Sequence, residues 1–117
     1  MDVSGKIIMG RYKLYPDAFD RARNKQWHRQ KAQANFRNEP WELTFEDFKK
    51  IWTETTWPRR GRAPDCLCMT RYPDLEGAWS IDNVVLIDRT NHVTAKNKRK
   101  YGIAWEHLFA DAYYPND

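Results

Sequence analysis

Four β-forming residues in a row, Val84-Val85-Leu86-Ile87, are the feature that most limits what this chain can fold into. The run is the strongest strand signal in the chain. Its neighbours narrow the choice further. Asp88 follows at once and can cap a helix running through Arg89 and a Lys/Arg cluster to about Tyr101, where Gly102 supplies a stop. Upstream, Cys66 to Tyr72 is short and apolar enough for a first strand, and Pro73 to Ala78 is punctuated as a turn or loop. The order is strand, loop, strand, helix.

Helices dominate the first half. Pro16-Asp17 resembles a helix start, and Ala18 to about Phe36 contains no Gly or Pro. Its apolar stripe is patchy, which predicts a helix exposed over much of its circumference. Asn38-Glu39-Pro40 breaks it. Thr44-Phe45-Glu46-Asp47 resembles a capping box, and Phe45, Phe48, Ile51 and Trp52 then fall at helical spacing. Trp105, Leu108, Phe109 and Ala112 form a further i, i+3, i+4, i+7 stripe that predicts a closing helix ended by Pro115. The fold class expected is α+β within one domain of 117 residues. Its parts are an N-terminal arm or short strand (1–15), a helical part (16–56), the strand–strand–helix unit (57–101) and a C-terminal helix (102–117).

Charge gives the first functional hint. The net charge is +4, and fourteen of the twenty Lys and Arg fall in three stretches. They are Arg21 to Arg37, then Arg59, Arg60 and Arg62, then Arg89, Lys96, Lys98, Arg99 and Lys100. Clustered basic charge is the footprint of a polyanion binder and favours nucleic acid over a merely solvated surface. Gly61 lets the Arg loop approach a phosphate backbone closely, and Trp57 beside it is a candidate for base stacking. Cys66 and Cys68 are too close in sequence to suggest a disulfide, and without a second ligand pair they read as buried thiols rather than a zinc site. With no long apolar run, the expectation is a protein of the cytoplasm that does not enter membranes.

The chemistry-bearing segment runs from Cys66 to Lys98. Its Gly77-x-Trp79-Ser80-x-Asp82-Asn83 turn leads into the strand, and eight residues separate Asn83 from His92. This arrangement resembles the HNH, or ββα-metal, nucleases, in particular small phage-type members. The preceding Trp41 to Phe48 segment is similar to the helix before the motif in such proteins.

The resemblance implies a hairpin-plus-helix core gripping one divalent metal (Mg or Mn) for phosphodiester cleavage or nicking. It implies that Asn83 pins the hairpin and orients the base, that His92 is a metal ligand, and that Arg89 and Lys96 meet the DNA. It also exposes a departure. Where the family carries its first His, this chain has Thr70-Arg71. Arg cannot abstract a proton at neutral pH, although it binds phosphate well. Asp74 is then the candidate base or second ligand, with capping of a turn as its plainer role. His28 reads as solvated and His107 as structural.

Two functions follow from the resemblance. One is a metal-dependent DNA endonuclease or nickase with Arg71, Asp74, Asn83 and His92 in its site. The other is a catalytically degenerate fold that binds DNA, or inhibits a host protein, without cutting. Wherever DNA is bound, Arg59, Arg60, Arg62, Arg71, Arg89, Lys96, Lys98, Arg99 and Lys100 are the expected nucleic-acid contacts.

Overall fold

The computed structural model describes residues 15–115. The expectation of an arm or strand over residues 1–14 lies outside the described residues. The rest is an α+β fold with three α-helices and one two-stranded antiparallel sheet. Helix α1 spans Ala18–Phe36, α2 Phe45–Ile51 and α3 Arg89–Lys100; the strands are β1, Leu67–Arg71, and β2, Val84–Asp88.

Local sequence explains most of these boundaries. The Asp17 carboxylate accepts from the Asp20 amide and starts α1. Thr44 and Asp47 cap α2 reciprocally, each side chain taking the other's backbone N–H. Asp88 ends β2 and accepts from the Asn91 amide, so one residue closes the strand and opens α3. Gly102 adopts φ +70°, a left-handed conformation suited to a residue without Cβ just past a helix end.

The two strands pair in a register that sets Thr70 opposite Val85 and Arg71 opposite Val84. Alternation then sorts the side chains. Leu67, Met69, Val84 and Leu86 face Leu43, Phe48, Ile51 and Trp52 from the α2 side. Val85 and Ile87 face the other way, onto Ala95 of α3 and Phe109. That two-sided burial is why β2 is apolar at four consecutive positions. Each such side chain contributes about 1.5–3 kcal/mol on leaving water.

Helix α1 is mostly exposed, as its patchy stripe predicts, but it is held by polar groups that the stripe does not reveal. Arg23 is buried, and its guanidinium donates to the Trp52 carbonyl at 3.0 Å. It thereby satisfies an acceptor just past the end of α2. Trp27 Nε1 donates to the Leu43 carbonyl at 3.0 Å.

The expected closing helix is corrected. Only a 3₁₀ turn, Glu106–Phe109, forms there. Tyr113 and Leu86 then exchange two backbone hydrogen bonds of 2.8 and 2.9 Å. The open edge of β2 offers those partners, and a dozen residues do not sustain a helix against such pairing. The apolar stripe still docks: Phe109 is buried, and Tyr72 stacks on it with centroids 4.2 Å apart. Among the described residues, no helix is long and apolar enough to cross a membrane.

Candidate nucleic-acid interface

The turn between the strands is built around Asn83. Its Oδ1 accepts from the Asp74 amide at 2.8 Å, while its Nδ2 donates to the carbonyls of Asp74 and Ala78 at 2.8 and 2.9 Å. One amide thus closes the 74–83 loop. Asp74 Oδ1 accepts from the Glu76 amide at 3.0 Å, so its carboxylate caps a local turn.

On the α3 side of the hairpin, Thr70 Oγ1 lies 2.7 Å from His92 Nδ1. Thr70 is buried and His92 half-buried. Burial pushes the imidazole below its ordinary pKa, and the positive charges of Lys96 and Arg89 push the same way. Both effects favour the neutral imidazole.

On the opposite face, at the end of β1, Arg71 is held by three partners. Its Nη1 donates to the Gly77 carbonyl at 2.9 Å and its Nη2 to Glu39 Oε2 at 3.2 Å, and the guanidinium lies 5.3 Å from the Trp79 ring centroid. Glu39 Oε1 also accepts from Trp79 Nε1 at 3.0 Å and Arg37 Nε at 3.1 Å. Burial alone would raise the Glu39 pKa, but the bonds from Trp79 and Arg37 and the charges of Arg71 and Arg37 outweigh it and hold the carboxyl low. The 40–42 segment is fixed beside this cluster by bonds from Trp79 N to the Pro40 carbonyl and from Glu42 N to the Trp79 carbonyl.

Between these two arrangements opens a cleft of about 500 Å³. It gathers Thr70, Arg71, His92, Lys96 and Arg99, and adds Arg37 and Glu39, which sequence reasoning did not single out. Glu39 is 32 residues from Arg71 and 40 from Trp79. The only local signal at Glu39 is the helix break it belongs to, so nothing nearby in sequence announces its role.

The other expected contacts lie elsewhere. Arg60 is bridged to Leu67, at the far end of β1 from the cleft, and its guanidinium covers Trp57 at 4.2 Å. That contact, with Phe19 and Trp52 packed edge-on to the same indole, makes Trp57 a packing residue rather than a base platform. Arg59 reaches the Tyr113 hydroxyl. Arg62 is exposed in the loop, and Arg89 at the start of α3. Lys98 and Lys100 sit on the last turn of α3, with Lys100 near the Tyr101 ring.

The donor set does not fit the divalent metal that the resemblance implies. Asp74 is a turn cap and does not line the cleft. Both carboxylates that line it are paired with arginines, Glu39 with Arg37 and Arg71, and Glu76 with Arg99 at 3.0 Å. Four cationic side chains share the same walls as the single imidazole. Among the described residues, no three His, Cys, Asp or Glu are grouped as metal ligands. Comparison with protein-family models, with curated proteins and with solved structures finds no match to this chain.

Proposed function

We propose that this chain is an HNH-like, DNA-binding domain whose hairpin-plus-helix unit grips a phosphate backbone without cutting it. The observation that carries this reading is the convergence of Arg37, Arg71, Lys96 and Arg99 on one cleft beside His92. Support for the HNH-like part is the Asn83 clamp on the 74–83 loop and the placement of His92 on the helix directly after β2. Support for binding over cleavage is the state of Arg71. It stands where the resemblance expects a general base, it cannot accept a proton at neutral pH, and it is anchored by bonds to Gly77 and Glu39.

A nuclease remains the second reading, because the Thr70 hydroxyl aligns His92 at the cleft wall. Plasmid nicking with Mg²⁺ or Mn²⁺, beside an EDTA control and His92→Ala, decides between them. The binding reading expects no nicking, together with salt-sensitive DNA affinity. Nicking abolished by both EDTA and His92→Ala overturns it in favour of the enzyme. Neither nicking nor DNA binding moves the function to a protein partner.

A further inference from the structure

Which sign of charge the cleft accepts follows from how its residues are already occupied. Arg71 spends one N–H of each terminal nitrogen on Gly77 and Glu39, which anchors it on the cleft floor, where it contributes chiefly charge. Arg37 is bound to Glu39 through Nε, and its side chain is 51% exposed, so its terminal nitrogens are available to a ligand in the cleft. Lys96 lies on the exposed side of α3, and among the described residues no acid pairs with it.

His92 completes the set. Its Nδ1 is taken by Thr70, so Nε2 is the ring nitrogen left for a ligand. When the Thr70 hydroxyl donates to Nδ1, the ring proton sits on Nε2 and points outward as a neutral donor. In the other tautomer, Nε2 would offer a lone pair to a metal. A divalent cation entering the cleft meets four positive side chains and two carboxylates already paired with arginines, whereas an oxyanion meets a net positive surface and ready N–H groups.

We infer that the cleft seats a phosphate group directly, with no divalent ion between protein and phosphate. His92 Nε2–H, the Lys96 ammonium and the outer edge of Arg37 are the donors, and Arg71 is the charge behind them. That the phosphate belongs to a nucleic-acid backbone rests on the DNA-binding reading above; the seat for the anion does not.

The test uses the full chain and a labelled DNA duplex, with affinity read by fluorescence anisotropy against salt concentration, once in EDTA and once in MgCl₂. The seat requires affinities within about twofold of each other in the two buffers. It also requires Lys96→Gln and Arg37→Gln each to lower the log–log salt slope by about 0.9, the loss of one neutralised phosphate. Both positions are exposed, and an unchanged melting temperature guards against unfolding. Affinity that appears with Mg²⁺ and vanishes in EDTA overturns the direct seat while leaving DNA binding intact. If the duplex does not bind, inorganic phosphate is titrated against ¹⁵N-labelled protein. Shifts of the His92 ring and Lys96 signals, with the His92 shift lost in Lys96→Gln, uphold the seat and overturn the DNA reading. Absence of both effects overturns both.

Discussion

Thr70 Oγ1 and His92 Nδ1, 2.7 Å apart, join the middle of the hairpin to α3 across the floor of the candidate interface. The bond fixes the ring's orientation and decides which nitrogen faces outward. Thr70→Val keeps the shape and removes the partner, leaving Nδ1 unsatisfied where the ring is packed against β1. The expected cost is about 1–2 kcal/mol, measured by urea denaturation. DNA affinity should fall as well, since the ring is then free to turn. Unchanged stability and affinity would show that the bond has no part in either.

The same imidazole makes stability depend on pH. Its pKa is lowered in the folded protein, so the unfolded chain binds the extra proton more readily. Unfolding free energy should be level above the ordinary imidazole value of 6.5 and fall as pH drops through 6.5 toward the lower folded value. Denaturation curves between pH 8 and pH 5 (a window of about three units around the ordinary imidazole value) should show this decline in the wild type and a shallower one in His92→Gln. Identical slopes would remove His92 from the account.

The Glu39 cluster yields a prediction that separates charge from structure. Glu39→Gln keeps an acceptor for Trp79 Nε1 but loses the negative charge between Arg37 and Arg71. Leaving Arg71 less compensated should destabilise the fold by about 1–3 kcal/mol in chemical denaturation. Removing one negative charge from the cleft should at the same time strengthen polyanion binding. Weaker binding in a variant that still folds would mean that Glu39 serves chiefly to position Arg71.

These particulars mark where sequence is informative. The hairpin and α3 could be placed because each rests on neighbours: two-sided burial makes Val84 to Ile87 continuously apolar, and Asp88 caps the helix it begins. The capping box at Thr44 is local in the same way. The cleft was only half legible. Arg71, His92 and Lys96 lie in the motif segment, whereas Arg37 and Glu39 enter from just past α1, Glu39 through bonds to residues 32 and 40 positions away. Arg23 was illegible for the same reason, because its burial depends on a carbonyl 29 residues away. The stripe from Trp105 to Ala112 identified a buried surface correctly but not its backbone, since the pairing of Tyr113 with Leu86 overrides helical propensity.

The loop closed by Asn83 gives the sharpest structural test. Asn83→Ala removes three hydrogen bonds at once and should cost about 2–3 kcal/mol, at about 1 kcal/mol each with some loss recovered by water. Gly77 sits inside the same loop. A Cβ there would fall 2.7 Å from Asp74 Oδ2 and 3.1 Å from Asn83 Nδ2. Gly77→Ala must therefore displace the Asp74 carboxylate, the Asn83 amide or both, and it should destabilise by about 1–3 kcal/mol. Because the two substitutions disturb one set of bonds, their effects should not add. A double variant appreciably less unstable than the sum, read from denaturation midpoints at constant m-value, is the expected outcome. Strict additivity would mean that Gly77 and Asn83 act independently, and that the loop is held by contacts other than this amide.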